Sequence, residues 1–98
     1  MAFSDFEKKI LNGLIDHVVA DIGPIVGYAR ISEIKSMLKE RDGFDFSLGV
    51  AVTEIHHAFL TGFKMRNGRD INQEETTELF HILGFRMHEI KEGIFKCG

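Results

Sequence analysis

Apolar residues recur every three or four positions along almost the whole chain, which is the spacing that places side chains on one face of an α-helix. The first such run follows Ser4 and Glu7, a pair typical of the capping box at a helix start. Its apolar members repeat at intervals of four and are Phe6, Ile10, Leu14, Val18 and Ile22. The pattern predicts a first helix over residues 5–22, with these side chains in the core.

Gly23 and Pro24 mark the junction to the next helix, because glycine is common just after a helix end and proline is common in a first helical turn. The second stripe consists of Gly27, Ile31, Ile34 and Leu38. It predicts a second helix over residues 24–41. The junction is short for a helical hairpin, so a kinked or wide corner is an alternative arrangement. A start at Ser32, with residues 25–29 as a loop or short strand, is a second alternative.

The third predicted helix covers residues 46–66. Asp45 or Ser47 can cap its start, and the pair Asn67 and Gly68 is typical of a helix end. Its apolar stripe consists of Leu48, Val52, Ile55, Phe59 and Phe63. The phenylalanines on this stripe are expected to pack in the core, as Phe6 is on the first helix.

A second capping box, Asn72 with Glu75, begins the fourth predicted helix. Its apolar stripe is Leu79, Leu83, Met87 and Ile90. Gly93 is expected to end it, which gives a helix over residues 73–92. Residues 1–98 are therefore expected to form one all-α domain, a small four-helix bundle-like fold.

The composition is that of an ordinary folded domain, and it excludes some classes of binding partner. The chain has 98 residues, of which 44% are hydrophobic and 28% charged, with a formal net charge of −3. That charge provides no general attraction to nucleic acid or to an anionic membrane. No apolar run approaches the roughly 20 residues of a membrane helix. Neither a nucleic acid nor a membrane is therefore expected as a partner.

Further exclusions concern location and catalysis. The N-terminal sequence has no apolar run of signal-peptide length, and the single cysteine, Cys97, cannot form a disulfide within the chain. Both features favour a cytoplasmic location. The sequence also lacks a glycine-rich phosphate loop, a serine nucleophile elbow and the paired cysteines of a zinc ribbon. It therefore favours a binding protein over an enzyme.

Two Glu-x-x-His motifs form the one constellation with metal chemistry, Glu54 with His57 and Glu78 with His81. Residues three apart share a helix face, and helical bundles that bind two iron or manganese ions use such pairs. The four side chains are therefore a candidate site for iron, manganese or zinc. At 100° per residue these four side chains lie opposite the predicted core stripes. The alternatives to a site in the interior are therefore exposure of the four side chains to solvent and a metal site between two subunits.

The same outward faces of the third and fourth predicted helices carry apolar side chains beside histidines. The candidate contact residues are Val50, His57, Leu60, His81, Phe85 and His88. A mixed apolar and titratable surface is typical of an interface. We therefore expect a cytosolic regulatory, adaptor or inhibitor protein that binds a protein partner and self-associates as a homodimer. A metal-binding helical protein that uses the two Glu-x-x-His motifs is the alternative.

Overall fold

The structure is a computed structural model that describes residues 2–38 and 43–97. These residues form five helices and, within the same ranges, no strand. The helices are α1 (Asp5–Ala20), α2 (Gly23–Ala29), α3 (Ser32–Lys35), α4 (Phe44–Asn67) and α5 (Gln73–Cys97). The expectation of a small all-α domain is confirmed.

The three long helices, α1, α4 and α5, lie side by side as a bundle. α4 runs antiparallel to α1. Phe3, just before α1, contacts Phe63 near the end of α4. At the other end of the pair, His17 of α1 and Val50 of α4 line the same depression. The short helices α2 and α3 therefore lie between the end of α1 and the start of α4, at one end of the bundle.

α5 runs parallel to α1, although the two helices are far apart in sequence. The Phe3 N–H donates a hydrogen bond to Glu78 near the start of α5. Toward the end of α5, Gly93 lies beside Ile22, which follows α1. The molecule is elongated along the bundle axis, with extents of 41 × 22 × 19 Å.

The hydrophobic core lies where the three long helices meet, and α2 closes one end of it. Fully burying one large apolar side chain contributes about 1.5–3 kcal/mol, so this cluster is the main source of stability. Its principal members are Leu11, Ile15, Val18, Ile25, Val26, Ala51, Ile55, Phe59, Phe63, Leu79, Leu83, Ile90 and Ile94.

The core face of α1 differs by one position from the predicted stripe. Phe6, predicted in the core, is 64% exposed, whereas Leu11 is fully buried. The cause is Phe3, which precedes the helix and enters the core, with its ring 5.2 Å from that of Phe59 in an edge-to-face contact. With Phe3 in this position, the face of α1 that carries Glu7 turns inward.

The chain bends by 61° between α1 and α2, so the alternative of a kinked or wide corner at this junction is the arrangement observed. The prediction that Gly23 caps α1 is wrong, because Asp21 occupies the C-cap position and Gly23 is the first residue of α2. Pro24 lies in the first turn of α2, where its missing N–H leaves no helical hydrogen bond unmade.

The prediction of one continuous second helix is wrong. The helix stops after Ala29, Ile31 has an extended backbone with φ −60° and ψ 132°, and a new helix begins at Ser32. The alternative start at Ser32 is thus confirmed, but residues 25–29 are helical and form neither a loop nor a strand. Residues 39–41 of the predicted helix lie outside the described residues.

The apolar side chains before and after this interruption differ in burial. At 100° per residue, a continuous helix would place Ile31 and Ile34 on the side opposite Ile25 and Ala29. One straight helix could therefore turn only one of the two pairs toward the core. The core contains Ile25 and Ala29, whereas Ile31 is 45% exposed and α3 has no buried residue.

Glycines in the left-handed conformation bound α4 at both ends. Gly43 at the N-cap has φ +65° and Gly68 at the C-cap has φ +69°, values that other residues rarely adopt. The Gly68 N–H donates to the Lys64 carbonyl at 2.8 Å and so satisfies one of the last helical carbonyls. The predicted caps Asp45 and Ser47 are wrong, because the helix starts one residue before Asp45 and includes both.

α5 begins with the predicted capping box. The Glu75 N–H donates to Asn72 Oδ1 at 2.8 Å, and the Asn72 N–H donates to Glu75 Oε1 at 2.9 Å. The predicted end at Gly93 is wrong, because the helix continues to Cys97. Burial of Ile94 in the core favours this extra turn.

No single helix within residues 2–38 and 43–97 is both long enough and apolar enough to cross a membrane. That test is met only by the bent pair of α1 and α2 taken together across their 61° break.

Candidate functional site

Glu78, a predicted metal ligand, holds the N-terminal segment against α5. Its Oε1 accepts a hydrogen bond from the Phe3 N–H at 2.9 Å, and its Oε2 accepts one from the Ala2 N–H at 3.3 Å. These bonds fix the segment that carries Phe3 into the core. The donors lie 75 and 76 residues away in sequence, so no local pattern could have indicated this role.

The two Glu-x-x-His motifs lie at different places on the bundle. Glu54 and His57 line a depression on α4, whereas Glu78 and His81 line one between α1 and α5. Among the described residues, no three His, Cys, Asp or Glu side chains are close enough together to hold a metal ion. The four predicted ligands therefore do not form one site within a chain. A site for iron, manganese or zinc between two copies stays a prediction.

A groove of 610 Å³ lies between the first halves of α1 and α5, and we call it the α1–α5 groove. It is lined by Ala2, Lys8, Asn12, Glu74, Thr77, Glu78, His81 and Ile82. Its walls are mainly apolar. Grooves of this volume are typical of sites that accept a side chain or a small molecule.

Phe85 lies on α5 one turn beyond this groove and is 78% exposed. It follows Glu74, Glu78 and His81 at spacings of eleven, seven and four residues, which keep all of them on one helix face. His88 lies about one turn farther along, with its Nδ1 3.2 Å from the Phe85 carbonyl oxygen. This face of α5 therefore combines a large exposed apolar side chain with a groove that can accept one.

Arg86 ties α5 to α1 at the level of Phe85. Its guanidinium donates to the carbonyl and side-chain oxygens of Asn12 and forms ion pairs with Asp16 and Glu89. The hydrogen bond to Glu89 raises the pKa of the Arg86 guanidinium and lowers the pKa of the Glu89 carboxyl. The backbone that carries Phe85 is thereby anchored to the neighbouring helix.

Two adjoining depressions of 610 and 260 Å³ share Val50 and Glu54, and together we call them the α2–α4 groove. Its lining comes from the end of α1 (His17, Val18 and Asp21), from α2 (Pro24, Ile25 and Tyr28) and from α4 (Asp45, Phe46, Gly49, Val50, Thr53, Glu54 and His57). At one end, the rings of Tyr28 and Phe46 stack with centroids 6.0 Å apart and planes at 3°. The groove is therefore partly aromatic and partly acidic.

The six residues predicted as one contact stripe lie on separate surfaces. Val50 and His57 line the α2–α4 groove, and Leu60 is partly buried against the core. The remaining three stay together on α5: His81, Phe85 and His88. The reason is geometric, because three packed helices turn their outward faces in three different directions. Outward positions of α4 and α5 therefore do not merge into one face.

Several lining residues were missed from the sequence. Phe46 precedes Val50 by four residues, so the helical period of α4 could have placed it on the same face as Val50. The position of Tyr28 beside Phe46 could not be predicted in this way, because the two residues belong to different helices. Lys8 and Asn12 approach α5 only through the parallel packing of α1 and α5, which no local pattern reports.

No known protein family, no curated protein and no solved structure matches this chain.

Proposed function

We propose that this protein is a small cytosolic regulator or adaptor that acts by protein–protein contact and self-associates as a homodimer. The observation that carries the proposal is Phe85, 78% exposed at the end of the α1–α5 groove. Exposed aromatic side chains beside apolar grooves are typical anchors of interfaces. The single Cys97 and the formal net charge of −3 support the cytosolic placement, since the chain can form no internal disulfide and does not attract anionic membranes.

A second copy fits this surface because the exposed ring and the groove lie on the same face of one helix. Phe85 is seven residues beyond Glu78, and seven residues of helix span about 10 Å. When two α5 helices pair antiparallel about a two-fold axis near His81 and Ile82, each Phe85 reaches the groove of the other copy. One contact then fills both grooves, which is the isologous pairing of a two-fold dimer.

The charges along α5 favour the antiparallel orientation. Residues 73–84 contain three glutamates and no lysine or arginine, while residues 85–97 contain two glutamates and three lysines or arginines. Parallel pairing would place the two acidic halves side by side, where like charges repel each other. Antiparallel pairing places each acidic half against a mixed half.

Light scattering after gel filtration tests the dimer. At high micromolar concentration the wild type is expected to be a dimer and Phe85→Asp a monomer, because burying one phenylalanine contributes about 1.5–3 kcal/mol and each dimer loses two. Phe95→Asp is the matched control, since Phe95 is 79% exposed on the same helix but lies outside the proposed contact. This variant is expected to stay dimeric.

A second variant tests the groove. Thr77→Arg places a large charged side chain on an exposed wall of the α1–α5 groove and is expected to dissociate the dimer. Circular dichroism verifies that each variant is folded. A wild type that stays monomeric at high micromolar concentration would contradict the proposal, as would equal effects of Phe85→Asp and Phe95→Asp.

A further inference from the structure

We propose that the α2–α4 groove binds a basic segment of another protein, one that presents lysine or arginine together with apolar side chains. The groove is lined by α4 and by the corner between α1 and α2, whereas the proposed dimer contact lies on α5 and the first half of α1. The inference therefore goes beyond self-association and does not depend on it. It gives the protein a second kind of partner besides its own copy.

The aromatic end of the groove suits a cationic side chain. The rings of Tyr28 and Phe46 are stacked and nearly parallel, and Tyr28 is 50% exposed. The face of an aromatic ring attracts an ammonium or guanidinium group within about 6 Å. Arginine is well suited here, because its planar guanidinium can stack on a ring and pair with a carboxylate.

The charges that line the groove point to the same class of partner. The titratable lining groups are His17, Asp21, Tyr28, Asp45, Glu54 and His57. Among the described lining residues there is no lysine or arginine. Asp45 also has a partner within the chain, but Asp21 and Glu54 are both exposed and add negative charge. The groove therefore attracts cations and repels anionic segments.

The size and apolar content of the groove favour a protein segment over a small free cation. Along α4 the groove extends from Asp45 to His57, and these twelve steps span about 18 Å. Val50, Pro24 and Ile25 supply apolar surface between the charged side chains. An amphipathic helix of similar length presents cationic and apolar side chains together, whereas a hydrated free cation leaves the apolar surface unused.

Fluorescence anisotropy with a labelled peptide tests this proposal. The probe is a peptide of about 14 residues, long enough to span the groove, made of leucine and lysine in a helical pattern. Its counterpart replaces every lysine with glutamate. The leucine–lysine peptide is expected to bind the full-length protein saturably, and the leucine–glutamate peptide is expected not to bind.

Variants then locate the binding site. Glu54→Lys is expected to weaken binding of the leucine–lysine peptide at least about tenfold, and Tyr28→Ala about fivefold. Glu92→Lys makes the same charge change on exposed α5 and is expected to stay within about twofold of the wild type, because the Glu92–Lys96 pair is exposed. Thr53→Lys, also in the groove, replaces Glu54→Lys should that variant fail to fold.

Three outcomes would overturn the proposal. The first is equal binding of both peptides, and the second is an equal loss of affinity in Glu54→Lys and Glu92→Lys. The third is displacement of the peptide by spermidine at a concentration equal to that of the peptide, which would assign the groove to small free cations. Phe85→Asp is expected to bind the leucine–lysine peptide as the wild type does. A failure of self-association is therefore distinguishable from a failure of the groove.

Discussion

Glu7 links the start of one helix to the end of another. Its N–H donates to Ser4 Oγ at 3.2 Å, which is half of the predicted capping box. Its carboxylate turns instead to α4, where it accepts hydrogen bonds from Arg66 and Asn67. The hydrogen bond from Arg66 holds the pKa of Glu7 below its usual value despite burial. A residue predicted as a local cap is therefore also a link between α1 and α4.

Ser47 differs from Glu7, because its buried hydroxyl has no hydrogen-bond partner among the described residues. The residue is fully buried in α4. An unpaired buried hydroxyl costs about 1–3 kcal/mol, and alanine also favours the helix. Ser47→Ala is therefore expected to raise the free energy of unfolding by about 1 kcal/mol, measured by urea denaturation.

Ser36→Ala is the control for this prediction. The Ser36 hydroxyl is exposed and donates to the Glu33 carbonyl, so its removal is expected to change the free energy of unfolding by less than about 0.5 kcal/mol. A loss of stability in Ser47→Ala would contradict the view that its hydroxyl is unpaired.

At the scale of elements, the two glycines that bound α4 are expected to differ in their tolerance of alanine. Both have positive φ, which costs a side-chain-bearing residue about 1–2 kcal/mol. A Cβ at Gly43 would also lie 3.0 Å from the Ala29 Cβ and 3.3 Å from the Leu38 Cδ1, whereas nothing lies within 4 Å at Gly68. Gly43→Ala is therefore expected to lower the free energy of unfolding more than Gly68→Ala, by about 1 kcal/mol or more.

Urea denaturation of both variants measures this difference, and Gly68→Ala acts as the internal control for the backbone penalty. Equal losses in the two variants would be inconsistent with close packing of α2 against the start of α4.

Helical periodicity predicted the ends of α4 and α5 to within five residues, although the buried face of α4 begins with Ser47 and Ala51 instead of the predicted Leu48 and Val52. The predicted end of α5 is wrong because a local signal, Gly93, is outweighed by burial of Ile94 in the core. The second predicted helix is wrong for a different reason. Its predicted stripe consisted of Gly27, Ile31, Ile34 and Leu38, but the buried side chains are Ile25, Val26 and Ala29, which precede the break at Ile31.

At the scale of the whole molecule, two buried carboxylates make stability depend on pH. Hydrogen bonds from Arg66 to Glu7 and from Arg69 to Glu75 lower the pKa of each glutamate below 4.5. A group whose pKa is lower in the folded state stabilises the fold above its unfolded pKa, and this contribution is lost as the pH falls through the folded pKa. The free energy of unfolding is therefore expected to decrease below about pH 4.5.

Urea denaturation at several pH values between neutral and acid measures this dependence. Glu7→Gln is expected to lose about 1–3 kcal/mol at neutral pH and to lose less stability than the wild type on acidification. Glu92→Gln is the control, because Glu92 pairs with Lys96 on an exposed surface and such pairs contribute little. Parallel profiles for Glu7→Gln and the wild type would contradict the prediction.

The candidate surfaces could be predicted from the sequence only in part. The outward position of Phe85 follows from the period of its own helix, and the structure has this side chain exposed. The groove beside it depends on Lys8 and Asn12, which belong to a helix more than sixty residues earlier in the chain. A helical wheel shows which side of a helix faces outward, but it does not show which other helix lies next to that side.

The parallel packing of α1 on α5 also has a consequence for the order of folding. His56 and Phe80, which bring α4 and α5 together, are 24 residues apart in sequence. The bonds from Arg86 to Asp16 and Asn12 close loops of 70 and 74 residues. Closing the longer loop costs more entropy, so we expect the α4–α5 hairpin to form first and α1 to dock last. During synthesis, the apolar face of α1 therefore lacks its contact with α5 until α5 has left the ribosome.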